Sequence, residues 1–188
     1  MKLPSLLFCL IFLCLQMQAQ TQPPTIKFLC GYSSESVLEI KKGKRPAPHK
    51  YLDTLYIRRH LAHFQDGASY LVPKDVLDKY GRDRLGRPDG QFVMTKSELD
   101  ALLLKANGNL AVLEKELGIP SGTWKGRELS RIDIPMPEYL GLRIPSGNEG
   151  GANALWLPGG FLPTGYREAV IDPIVKGRYV ETVVEIRN

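Results

Sequence analysis

Cysteine is nearly absent from this sequence. There are three in 188 residues, and two of them, Cys9 and Cys14, fall inside the apolar segment at the start. Cys30 is left alone, so no internal disulfide can staple the remainder and a packed core must hold it. A zinc knot is excluded as well, because Cys30 and His49 stand without motif spacing to further soft donors. After Phe28 and Leu29, Cys30 is expected to be a buried small hydrophobe, and no neighbouring histidine marks it as a nucleophile.

Other absences narrow the field further. No G-x-G-x-x-G follows a strand pattern, which argues against a doubly wound dinucleotide fold. No segment beyond Leu15 is long and apolar enough to cross a bilayer. Charge of one sign is scarce too: 25 Lys plus Arg against 20 Asp plus Glu leave +5, thin for a protein that coats nucleic acid. Hydrophobic residues at 43% and charged residues at 24% exclude disorder, collagen and coiled coil, and the length suits one domain.

What is present begins with Met1-Lys2 and an unbroken apolar run of ten, Leu6 to Leu15, followed by Gln16-Met17-Gln18-Ala19. This is the layout of a secretory signal peptide over 1–19, half as long as a spanning helix, and it predicts a secreted, soluble mature chain. Residues 20–50 read as an extended leader, with a basic cluster at Lys41–Arg45 and one strand at Ser36–Ile40. Residues 51–188 read as a single domain.

Within that domain, apolar spacing predicts a helix over Leu52–Phe64 and a strand at Ala68–Val72. Pro73 opens a short helix closed by Gly81, and Gln91–Met94 forms a strand. Thr95-x-x-Glu98 makes a capping box for a helix ending at Gly108, and Asn109 caps the next, which stops at Gly118. Beyond Pro120 the pieces turn short and β-rich: Leu129–Ile134, Leu142–Ile144, Ala154–Leu157, Glu168–Ile171 and Tyr179–Ile186. The fold class expected is α+β, with N-terminal helices packed on a mostly antiparallel, twisted sheet built largely from the C-terminal half.

Chemistry concentrates in Arg143–Glu168, where Gly147, Gly150, Gly151, Gly159, Gly160 and Gly165 sit between strands. Such glycines let backbone N–H groups converge on an anion. Ser146, Asn148, Glu149 and Asn153 can bond a ribose or an amide, Trp156 and Tyr166 offer rings, and Arg143 a cation. Glu168 stands at the head of a strand that would fix its carboxylate. The plain structural alternative is an irregular stretch with glycines in tight turns and Trp156 in the core. A second group, His60-x-x-His63, puts two imidazoles on one helical face for acid–base work, or simply in solvent. Arg131 and Asp133 share one face of a strand.

Asp66-Gly67-Ala68-Ser69, Asp89-Gly90-Gln91-Phe92-Val93, the Leu99–Gly118 helical pair, Arg143-Ile144-Pro145-Ser146-Gly147-Asn148-Glu149 and Trp156-Leu157-Pro158-Gly159-Gly160 together resemble one unit. It is similar to C-terminal toxin domains of RHS-type polymorphic toxins and related small secreted bacterial proteins, over about Tyr51 to Arg187. The resemblance implies an enzyme acting on NAD as substrate, an ADP-ribosyltransferase or NAD glycohydrolase, with no metal. Glu168 and Arg143 would then be catalytic, and Ser146, Asn148, Glu149, Asn153, Trp156 and Tyr166 would bind substrate. A clean Ser-Thr-Ser, a terminal Glu-x-Glu and a His-Tyr-Glu set are all missing. The resemblance admits, as the runner-up, a metal-independent ribonuclease using His60, His63 and Arg131, and a non-enzymatic binding module stays open. Partners implied are a target protein or RNA and a cognate inhibitor, with no stable membrane association.

Overall fold

Period-two alternation in five segments builds the centre of the fold. The computed structural model describes residues 25–187, so the expected signal segment 1–19 lies outside the described residues. In chain order the helices are α1 (Ser34–Leu38), α2 (Thr54–Ala62), α3 (Lys74–Tyr80), α4 (Lys96–Ala106) and α5 (Leu110–Glu116). The strands are β1 (Ala68–Pro73), β2 (Arg84–Leu85), β3 (Gln91–Thr95), β4 (Leu129–Ile134), β5 (Glu168–Ile171), β6 (Ile174–Val175) and β7 (Val180–Val184). Five strands form one sheet in the order β5-β3-β1-β4-β7, antiparallel throughout, and β2 pairs with β6 apart from it. This is the α+β fold with an antiparallel sheet.

Residues paired across antiparallel strands point to the same face, so the register sorts the side chains. One face carries Ala68, Tyr70, Val93, Ile132, Ile134, Ala169 and Ile171, sealed by Phe64, Leu77, Leu85 and Ile174. The other presents Met94 and Leu129 to Leu99, Leu102 and Ala106 of α4, Leu113 of α5, and Trp124. A third cluster joins Val37, Tyr51 and Leu52 to Ile144, Ala152 and Trp156.

Helix ends follow local chemistry. Thr95 Oγ1 accepts from Glu98 N at 3.2 Å and donates to Glu98 Oε2 at 2.8 Å. Asn109 Oδ1 accepts from Ala111 N and Val112 N at 3.0 and 3.3 Å. Three expectations are corrected. Ser36–Ile40 is not a strand: Ser33 and Ser36 cap each other, Ser36 N to Ser33 Oγ and Ser33 N to Ser36 Oγ, and start α1 instead. Cys30 is exposed rather than buried, because the chain turns there and Tyr32 N donates to Leu29 O. Leu142–Ile144 and Ala154–Leu157 form no strand; Arg143 makes one bridge to Val170, and Trp156 N closes a turn onto Asn153 O.

Residues 25–50 dock on the body. Phe28 bridges Leu52, and Ile26 and Phe28 pack on the third cluster.

Candidate functional site

The glycine-rich stretch between Ile144 and Arg167 forms a wall. Gly147 has φ +78, and a Cβ there would lie 2.6 Å from the Trp156 ring, so only glycine lets the loop close on the indole. The wall is fastened from a distance. Asn148 Oδ1 accepts from Gly43 N at 2.7 Å and Arg45 N at 3.2 Å, and its Nδ2 donates to Arg45 O at 2.9 Å. Lys42 Nζ donates to Ala152 O at 2.7 Å, and the Arg45 guanidinium lies 4.6 Å from the centre of the Trp156 ring. The basic cluster of the leader is therefore a clasp on this loop.

Between this wall and the helical layer opens a cleft of about 840 Å³. Leu71, Phe92 and Met94 supply its floor from the sheet, Leu117, Ile119 and Trp124 its far side, and Gly151–Asn153 with Trp156 the near side, and it extends past Tyr70, Leu77, Tyr80 and Leu85 along α3 and β2. Arg87 and Asp89 also line it; Asp89 Oδ2 accepts from Gly150 N at 2.5 Å.

Glu168 faces this cleft from the first position of β5, opposite Met94 of β3. Part of the residue is open, but its Oε2 is buried with no hydrogen-bond partner. Burial, and secondarily the charge of Glu149, push its carboxyl up to about 8. Glu149 stands behind the wall, 6% exposed, with Oε1 accepting from Ser146 N at 2.9 Å and Ser146 Oγ at 3.0 Å. Its Oε2 is buried and unpartnered, as are Tyr51 OH and Trp156 Nε1. Two of these four residues, Glu168 and Trp156, line the cleft, and Glu149 and Tyr51 lie behind the wall.

The structure brings Glu168, Trp156 and Asn153 together along the cleft. Trp156, at 5% exposure, presents an edge rather than an open face, since Arg45 and Gly147 cover its ring. Asn153 Nδ2 donates to Gly118 O at 2.9 Å and ties the wall to the end of α5. Ser146, Asn148 and Glu149 support the wall from behind. Arg143 lies outside the lining, its Nη1 on Asp172 Oδ1 at 2.8 Å and Gly141 O at 2.9 Å. Tyr166 packs into the α4–α5 cluster, where burial raises its hydroxyl.

The histidine group does not assemble there. His60 Nε2–H donates to the Glu168 backbone O at 3.0 Å, and Phe161 meets the ring edge-on at 4.9 Å. Burial holds this imidazole down at about 4, so it is neutral. His63 is exposed at the end of α2, and Arg131 is committed to Asp133 and Asp100 at 2.7 and 2.6 Å. Ser69 Oγ donates to Asp133 in the same network.

Sequence reasoning passed over Arg87, Phe92 and Tyr51. The Asp89–Val93 run held a signal: Gly90 has φ +135, and a Cβ there would meet Arg143, Val170 and Glu149 within 3.4 Å. Among the described residues no group of three or more His, Cys, Asp or Glu is placed to hold a metal, and no helix is long and apolar enough to cross a membrane. Comparison with protein-family models and with curated proteins finds no match for this chain.

Proposed function

We propose that this protein is an exported, toxin-like enzyme that cleaves NAD at the nicotinamide–ribose bond. In that reaction the bond from ribose C1′ to the ring nitrogen breaks, and its electron pair stays on the departing neutral nicotinamide. The ribose passes through an oxocarbenium-like state whose positive charge a fixed carboxylate stabilises. Water, or a nucleophile of a target protein, then bonds to C1′ and gives its proton to solvent. The observation that carries the reading is Glu168: a strand-anchored carboxyl with a buried, unpartnered oxygen, facing a cleft of about 840 Å³. That volume falls within the ordinary range for small-molecule sites. Phe92 and Trp124 supply apolar rings along the cleft, and Arg87 a cation for phosphate.

A ribonuclease using His60, His63 and Arg131 has less support. The first is neutral and bonded to a backbone carbonyl, and none of the three lines the cleft. The deciding experiment incubates purified protein with NAD and, separately, with RNA. Free nicotinamide is expected to accumulate with wild type, and Glu168→Gln is expected to lower turnover by roughly a factor of a thousand while the melting transition persists. Unchanged NAD with wild type, or full activity in the variant, overturns the reading. RNA cleavage lost on His60→Ala would install the ribonuclease in its place, and inertness toward both substrates would leave a binding module.

A further inference from the structure

We propose that the cleft selects a flat ring carrying delocalised positive charge, through two buried carboxyls that no cation among the described residues pairs with: Glu168 facing the cleft and Glu149 behind its wall. This rests on reading the cleft as the nicotinamide site, and it specifies what that site recognises.

Glu149 is fixed by the Ser146 backbone N–H and hydroxyl, which spend Oε1 and leave Oε2 buried and bare. Its position follows from Gly90: a Cβ there would lie 3.4 Å from Glu149 Cγ and 3.3 Å from Val170 Cβ. Val170 is two residues along β5 from Glu168 and on the same face, so the two carboxyls flank one end of that strand. The cations nearby have other partners. Arg143 pairs through Nη1 with Asp172 at 2.8 Å while its Nη2 lies beside Gly90 and Glu149, and Arg167, which lines the cleft, pairs through Nη1 with Glu98 at 2.7 Å and leaves Nε buried without a partner. Arg45 spends its guanidinium on Gly147 O, Ile40 O and the Trp156 face. His60 reaches the Glu168 backbone rather than its carboxyl and is uncharged. Arg87, across the cleft, stands 3.8 Å from Asp89.

Two buried carboxyls that feel each other's charge cannot both ionise cheaply, and among the described residues neither has a salt-bridge partner. Burial and Glu149 therefore keep a proton on Glu168 while the cleft is empty. A cationic ring entering beside Phe92 reverses the balance: the carboxylic acid becomes a carboxylate, and its proton passes to the buffer. A neutral ring gains nothing of the kind. Glu149 does not line the cleft, so it is a positioning residue that acts through the charge of Glu168.

The test uses titration calorimetry on the full protein with two probes that have no glycosidic bond to break: nicotinamide, and its cationic form methylated on the ring nitrogen. Measurements at neutral pH in phosphate and in Tris, buffers of different ionisation enthalpy, count the protons exchanged. The cationic ring is expected to bind on the order of tenfold more tightly, the factor that one partly screened charge pair supplies. It should release most of one proton, and nicotinamide none. Glu149→Gln should shrink both the preference and the release, and Ser146→Ala, which loosens Glu149 without removing it, should shrink them less. Equal affinity for the two rings, no proton release by wild type, or no binding of either ring overturns the proposal. If NAD is never consumed yet the cationic ring binds with proton release, the proposed reaction falls and this selectivity stands. If NAD is consumed while the rings bind alike, the reverse holds.

Discussion

The two faces of the five-stranded sheet are built from the same strands and end differently. One packs on Phe64, Leu77, Leu85 and Ile174 and is sealed around Ile132 and Ile134, while Tyr70, Leu77, Leu85 and Val93 of the same cluster also border the cleft. The other is covered by α4 and α5 only over part of its area. Toward β5 it carries Glu168, Met94 and Phe92 into an open cleft, and toward β4 it carries the Ser69–Asp133–Arg131 network. A strand's alternation serves packing on one side and leaves the other side free to hold polar groups. The candidate site lies where the covering layer is an irregular loop rather than a helix, because such a loop can leave space beneath it.

That contrast can be broken by experiment. On the sealed face, Ile132 is completely buried, and Ile132→Ala should cost about 2–5 kcal/mol in denaturant unfolding. Met94→Ala, at the cleft floor on the opposite face, removes a side chain that already borders empty space and should cost less than that range. Equal losses would mean that the two faces are packed alike. A smaller effect is expected from Asn148→Ala, which removes the side-chain part of the clasp to Gly43 and Arg45 and leaves the Lys42 and Arg45 contacts. Stability should drop by about 1 kcal/mol, while hydrogen exchange quickens across residues 147–156 and not in β4. Unchanged exchange there would show that the wall stands without that part of the clasp.

The pH profile probes the two buried titrating groups. His60, held down at about 4 from an ordinary 6.5, stays neutral in the fold while the unfolded chain takes up a proton, so stability declines as pH falls through that interval. Glu168, raised to about 8 from 4.5, keeps a proton that the unfolded chain releases, so its contribution is full below 4.5 and is lost as pH rises toward 8. Melting temperatures across pH should peak between the two limbs, and Glu168→Gln should flatten only the alkaline one. An alkaline limb that survives the substitution belongs to another group.

Much of the fold could be read directly from the residues. β4 and β5 have the limits expected from their β-branched runs, and α4 and α5 start at Thr95 and Asn109 because those side chains satisfy bare N–H groups wherever they stand. The failures share a cause as well. Ser36–Ile40 has a strand-like composition, but a serine pair three residues apart nucleates a turn of helix first. Leu142–Ile144 and Ala154–Leu157 have apolar side chains that go to the third cluster instead of to a ladder. At the site, the glycine-rich wall and the strand-borne Glu168 were visible in the chain itself. Arg87 and Phe92, more than fifty positions upstream, were not, since only the β3–β5 pairing brings them near. Nor could the sequence show that Arg45 covers the face of Trp156, as the two are brought together by hydrogen bonds spanning 102 to 110 positions.

Those long spans have a kinetic consequence. A contact between residues so far apart closes a very large loop, and its entropic cost is met only after the intervening strands have paired. The near side of the cleft is thus among the last surfaces to organise, and it needs residues 42–45 and 147–156 at once. A fragment beginning at Tyr51 would retain every strand of the sheet yet lack the guanidinium that lies over the indole. Completion of this wall is in this sense a readout of folding, absent until Lys42–Arg45 and the glycine-rich stretch have met.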